Sequence, residues 1–286
     1  MKQHAFFRLG LMLFSIGLFN PPDGFAQDEL PAYLKDRGDG IRTSIFGTYV
    51  RRGELLVSPF FEYYRNNDME YKPAELGFGL DQDFRGRYRA SEGLAFVSYG
   101  VTDWLAIELE VAVIRGSLYK SPNDPSAMPA KLTESGLGDR QIQFDMRVLK
   151  ENGRRPEVFS YFEVVFPSNR RKLLIGTSDY EYKLGTGLIR GFNWGTLTAR
   201  VALDYSKAES KIDPGEWAVE YLKRVSSACR VYLGVEGTQD EIELITEAQW
   251  HVSDNIFIRL NNAFGLTSKA TDWAPDVGIM FALPVR

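Results

Sequence analysis

Carboxylates spaced two residues apart are the groups best placed to do chemistry in this 286-residue chain. Glu108 and Glu110 form one such pair, and Glu241, Glu243 and Glu247 repeat the spacing. Two residues is the repeat of a β-strand, so these acids share a face. A face of this kind can attract cations, hold water or pair with arginine. Asp145 and Arg147 stand at the same spacing, which puts an acid and a base on one face.

Other chemistries are short of parts. With 2 His and 1 Cys, the chain has no room for a zinc finger, a disulfide framework or a Cys-His couple. His251 lies near Ser253, but Ser253 reads as a turn residue, so a lipase-like pair is set aside. Asp179, Asp213 and Asp272 gather at one end of the strands without a histidine. Gly136-Leu137-Gly138-Asp139 is not a phosphate loop, because no helical pattern follows it. No metal-ligand spacing occurs. The reading is of a non-enzyme with no cofactor and no metal. A net charge of -4 argues against a nucleic-acid partner.

The alternation extends far beyond the acids. Leu105, Ile107, Leu109, Val111 and Val113 alternate with smaller or charged residues. Leu197, Ala199, Val201, Leu203 and Tyr205 do the same, as do Val231, Leu233 and Val235. Strands are predicted over 54–66, 87–100, 104–118, 137–150, 156–167, 178–191, 195–206, 215–225, 228–237, 241–252, 255–266 and 272–284. Tight turns at one end, such as Val101-Thr102-Asp103 and Asn193-Trp194, oppose mostly longer loops at the other, such as 67–86 and 119–136. Trp104, Trp194 and Trp250 flank the tight turns, and Trp217 and Trp273 mark the far ends. Two aromatic bands about ten residues apart suit a strand crossing ~25 Å of hydrocarbon. A closed antiparallel transmembrane β-barrel of about twelve strands follows, all-β, spanning 54–286, with short periplasmic turns and longer extracellular loops.

Residues 1–26 read as a signal peptide: Lys2 and Arg8, the apolar run Leu9 to Phe19, then Pro21 and Pro22 and the small-residue site at Gly24-Phe25-Ala26. Export to the outer membrane of a Gram-negative cell is the expected destination. A mean hydropathy of -0.24 excludes a helical membrane protein. Residues 27–53 show no strand register, so they either fold into the lumen as a plug or lie below the barrel.

If the apolar face meets lipid, the polar face lines a lumen. The candidate pore-lining residues are Glu62, Glu108, Glu110, Gln143, Asp145, Arg147, Glu163, Arg200, Asp204, Glu220, Arg230, Glu236, Glu243, Glu247 and Arg259. Glu241, Asp276 and Lys183 belong to the same face. Acid outnumbers base, so the charges either knit the wall in acid-arginine ladders or select a polar or cationic solute.

Short stretches in order also resemble a known family. They are Gly53-Glu54-Leu55, Tyr99-Gly100-Val101-Thr102-Asp103, Gly136-Leu137-Gly138-Asp139, Val165-Phe166-Pro167, Leu184-Gly185-Thr186-Gly187 and Pro275-Asp276-Val277-Gly278. Over residues 50–286 the chain resembles the outer-membrane barrels named for the phenol-degradation (MetA) pathway. That resemblance implies an outer-membrane location and passage of small, aromatic organic compounds; it implies no catalytic residue. The chain departs from the family at Phe166-Pro167-Ser168-Asn169 and at its Leu283-Pro284-Val285-Arg286 end, where Phe281 is the nearest ring.

The expected function is a narrow passive channel for a small-molecule solute, with outer-membrane lipid as its other partner. Two rivals stand beside it: a barrel without a pore that presents its loops, and a secreted soluble β-sheet binding protein.

Overall fold

Every alternating segment forms a strand. The structure, a computed structural model, describes residues 30–168, 174–177, 179–207 and 210–285. The expected signal segment 1–26 lies outside them. A two-strand hairpin comes first, with β1 (Ile41–Arg42) and β2 (Tyr49–Val50) paired to each other. Twelve strands then close a barrel. They are β3 (Glu54–Tyr71), β4 (Phe84–Gly100), β5 (Leu105–Tyr119), β6 (Lys131–Leu149), β7 (Glu157–Phe166), β8 (Glu181–Phe192), β9 (Gly195–Ser206), β10 (Lys211–Arg224), β11 (Cys229–Gly237), β12 (Ile242–Ser253), β13 (Ile256–Gly265) and β14 (Trp273–Pro284). Each pairs antiparallel with its chain neighbours, and β14 closes the ring on β3. No sheet edge is left open, which a bilayer demands of any sheet crossing it.

β3, β4 and β6 run past their expected ends, so the loops between them shorten to 72–83 and 120–130. The extra residues carry charges such as Glu70, Arg85 and Lys131 on one face, while Met69, Tyr71, Phe84 and Leu132 pack inward on the apolar cluster at the loop end. With its outer face in water and its inner face apolar, the rim inverts the pattern that marks a span. Register shifts between Asn66 and Met69, and opposite Val111 and Val113, further break the period. One side of the barrel is therefore taller than the other.

The outer wall is greasy. Phe61, Leu109, Val113, Leu184, Val201, Val219, Leu233 and Leu260 are all exposed. A soluble fold would bury such a set; here their partner is hydrocarbon. At the short-turn end Trp194 stacks between Phe192 and Tyr221, with ring centroids 4.8 and 5.9 Å away. At the long-loop end Tyr182 stacks with Phe162 and meets Tyr205 at a tilt, and Trp273 meets Tyr63 edge-on. Amphipathic rings thus border the apolar belt at both rims.

The two ends of the barrel sequence meet at the short-turn rim. Gly53 donates from its amide to the Gly100 carbonyl at 2.8 Å and accepts from the Val285 amide at 2.7 Å. Its φ of +71° turns the chain there, a conformation glycine adopts without strain.

Candidate channel lumen

Residues 30–53 turn inward and occupy the short-turn half of the barrel. Ile41, Ile45 and Val50 pack on Leu56, Phe96, Ala106, Phe257 and Met280, the largest apolar cluster at that end. Polar anchors surround it. The Arg37 guanidinium reaches Glu151 at 3.0 Å and Glu157 at 3.1 Å, with all three side chains excluded from solvent. Burial alone would lower the Arg37 pKa; the Glu157 carboxylate, helped by Glu151, holds it above its ordinary value. Arg42 donates to Glu220 at 2.7 Å, the Ser44 amide to Glu108 at 3.0 Å, and the Gln249 amide nitrogen to the Phe46 carbonyl at 3.0 Å. Arg147 donates to the Gly40 carbonyl. At Gly191 a Cβ would strike the Tyr33 carbonyl, so only glycine lets the segment lie that close to β8.

Above this segment lies a cavity of about 490 Å³. Arg42, Ser44, Ile45 and Phe46 form its floor. Below the segment, a second cavity of about 560 Å³ faces the short-turn rim, roofed by Gly40, Thr48 and Tyr49. Above the central one, a third of about 490 Å³ leads toward the loops, between Tyr88, Leu174 and Thr271.

Charge is unevenly spread around the central cavity. On one side arginines hold the acids in ladders. Arg200 on β9 binds Glu216, Glu220 at 3.0 Å and Glu236 at 2.7 Å. Arg259 on β13 binds Glu247 on β12 and Asp276 on β14, both at 3.0 Å. On the other side Glu62, Glu92 and Glu110 of β3, β4 and β5 line the space without a Lys or Arg within 4.0 Å among the described residues. Tyr64 lines the same side of the cavity. Phe46, Phe60, Leu94, Ile114, Ile175 and Ile245 give the same cavity an apolar lining. A solute here meets carboxylates and greasy surface together.

The fifteen expected pore-lining residues divide into four groups. Glu62, Glu110, Gln143, Glu163, Arg200, Glu236, Glu243 and Arg259 border the central cavity. Glu108, Asp145, Arg147, Glu220 and Glu247 are buried in the polar network around and beside the inner segment. Arg230 borders the lower cavity, where its Nε donates to His251 Nε2 at 2.9 Å. Asp204 sits half-buried toward the loop rim, its carboxylate against Gly215.

Several lumen residues lay outside that set. Glu216 binds Arg200, and Lys183 at 3.3 Å. It sits in the bulge between Pro214 and Trp217 and shares the inward parity of Ala218 and Glu220, so the two-residue spacing back from Glu220 could have found it. Glu92 and Tyr64 escaped because β4 carries Ser91, Gly93 and Ala95 on its outer face and Leu94 and Phe96 on its inner one. The usual polarity is inverted there. Arg37 and Arg42 sit in a stretch with no period at all; their only signal was charge within a segment too short to form a domain.

No family model and no curated protein matches the chain. Solved structures do. An outer membrane channel from Pseudomonas putida F1 is 12% identical over 85% of this chain and 100% of that chain, with a TM-score of 0.60. The translocator domain of the autotransporter NalP from Neisseria meningitidis is 11% identical over 80% and 88% of the two chains, with a TM-score of 0.47. The P. putida toluene transporter TodX is 8% identical over 82% and 90%, with a TM-score of 0.40. At these identities the likeness is one of fold.

Proposed function

We propose that the chain is an outer-membrane barrel that passes small organic solutes passively, with residues 30–53 as its constriction. The observation that carries this reading is the central cavity, enclosed by a lipid-compatible wall and lined by unpaired carboxylates beside an apolar patch. That lining favours a compact solute with one greasy face and one hydrogen-bond donor or positive charge. Aromatic compounds with a hydroxyl or amino group meet both demands, in keeping with the resemblance to the phenol-degradation barrels. The fold shared with the P. putida channel supports the same reading.

Purified protein in planar bilayers tests it. Discrete conductance steps that prefer cations over anions are expected, since acid-lined pores draw cations. Liposomes holding the protein should also swell faster in a small aromatic amine than in a carboxylate of equal size. A silent, sealed barrel in both assays rejects transport.

A barrel without a pore is the second reading, favoured by the solvent-free Arg37 pairs and by the loop end. There Tyr71, Phe84, Leu118, Met128, Leu174 and Ile175 form an apolar cap. On that reading, deleting 72–83 and 120–130 abolishes binding to a partner while leaving assembly intact.

A further inference from the structure

The outer face of β3–β6 carries a charge pattern unrelated to the lumen. Arg65 on β3 stands directly opposite Arg89 on β4, and both are exposed. Like charges directly opposite on neighbouring strands repel. One row toward the loops, Arg87 and Lys131 flank Tyr119 from either side, lying 5.2 and 5.1 Å from its ring centre. One row toward the belt, Arg115 faces Ser91, which faces Tyr63. Tyr63 meets Trp273, so the cations sit at and just beyond the aromatic girdle.

These side chains find no acid. Among the described residues none of the five lies within 4.0 Å of a carboxylate; Arg65 reaches only the Asn67 side-chain oxygen, at 3.5 Å. The nearby Asp68 and Glu70 are already held by Arg85, at 3.0 and 3.3 Å. On the shorter wall, Lys207 and Lys211 have Asp179 and Asp213 instead. Basic clusters at a membrane rim bind anionic head groups. The pattern spans β3 to β6, three strand spacings or roughly 14 Å. That is wide for one phosphate and suits two phosphates carried on a disaccharide. Below Arg89, the outer face of β4 continues as Ser91, Gly93 and Ala95, between Phe61 on β3 and Val111 and Val113 on β5. A Cβ at Gly93 would meet nothing within 4 Å, so this furrow has room for an acyl chain.

We propose that this wall binds a phosphorylated glycolipid of the lipid A type in the leaflet on the long-loop side. The proposal rests on the reading of the barrel as an outer-membrane span with its long loops outward. It assigns the tall side of the barrel a lipid partner, independent of any solute in the lumen.

The test reconstitutes wild type and an R65Q/R89Q/R115Q variant in phosphatidylcholine bilayers and scores insertion by heat-dependent gel mobility. Each is then extracted with bisphosphorylated lipid A, dephosphorylated lipid A, phosphatidylglycerol or inorganic phosphate, and retained lipid is measured by native mass spectrometry. Wild type should retain bisphosphorylated lipid A selectively, and inorganic phosphate should not displace it. The variant should retain it at least roughly tenfold less, since each basic residue at the surface contributes separately. Equal retention by the variant overturns the proposal. So does equal retention by wild type of dephosphorylated lipid A or phosphatidylglycerol, a comparison that stands even where the variant fails to insert. Failure of wild type to insert at all overturns the membrane reading and the proposal with it, which separates the two failures.

Discussion

Arg37 and Glu157 meet at 3.1 Å with neither side chain reaching solvent, although one precedes the barrel and the other opens β7. The pair fixes the inner segment to the wall at the short-turn end. Its energetics follow from burial. Each charge has lost its water and is compensated by its neighbours: Arg37 by Glu157 and Glu151, and Glu157 by Arg37 and by Arg147 at 3.2 Å.

Removing one partner should weaken this anchor. Arg37→Ala takes from Glu151 and Glu157 their shared cation but leaves them Arg190 at 3.5 Å and Arg147 at 3.2 Å, so the loss should fall below the roughly 3–5 kcal/mol of a stranded buried charge. Urea unfolding in detergent should show that loss, and single-channel conductance should rise as the segment loosens. Glu157→Gln should act in the same direction but less, since Arg37 keeps Glu151. Unchanged conductance in both would mean that the segment does not restrict the lumen.

Selectivity should track the unpaired acids. Converting Glu62, Glu92 and Glu110 to Gln removes three carboxylates that no described arginine or lysine neutralises, while the Arg200 and Arg259 ladders stay. The reversal potential in a salt gradient should move toward anions, as expected when an acidic patch on one side of the lumen is neutralised. Changing Glu247 instead should affect stability more than selectivity, because that acid is already held by Arg259.

The loop end should respond to acid through Asp124. Burial alone would raise its pKa, but the Ser126 amide at 2.7 Å and the Tyr71 hydroxyl at 2.9 Å donate to it and hold it below the ordinary value. A carboxyl lowered in the folded state stabilises that state above the unfolded pKa, about 3.9. The contribution fades as pH drops through the lower folded value. Amide exchange in 120–130 should accelerate below about pH 4. Asp124→Asn should remove that acid step and leave the loop loose at neutral pH as well.

How much of this could be read from residue order depends on what lay outside each strand. Where lipid met one face and water the other, as from Leu105 to Val113, the period was clean and the strand matched within a residue. At the rim from Asn67 to Tyr71 the outer face met water and the inner face, Met69 and Tyr71, met the apolar cluster of the loop end, so the expected polarity was reversed and the strand looked like a loop. The lumen was legible where it held acids on regular strands, such as Glu236 and Glu243. It was hidden at Glu92, where small outward residues inverted the contrast, whereas Glu216 shares the parity of Glu220 and was open to the same reading. Arg37 and Arg42 could not be placed by period because their anchors are distant in sequence: Glu157 and Glu220 lie 120 and 178 residues away.

The direction of the apolar faces can be tested by a substitution that water would ignore. Leu184 on β8 is 54% exposed and stands beside Phe162 and Leu203 on the outer wall. On a soluble protein, an arginine at such a site would change stability by about 0.5 kcal/mol or less. In a bilayer the same guanidinium sits one row inside the Phe162–Tyr182 girdle and should cost between the roughly 0–1 kcal/mol of the interface and the roughly 2–4 kcal/mol of mid-depth. Leu184→Arg should therefore lower the unfolding free energy of the bilayer-inserted barrel by that amount. The cost should shrink when the same change is made at Leu283, close to the short-turn rim, because water and head groups lie within reach there. A flat response across the two depths would mean that the outer wall does not face hydrocarbon, and the lumen assignment would fall with it.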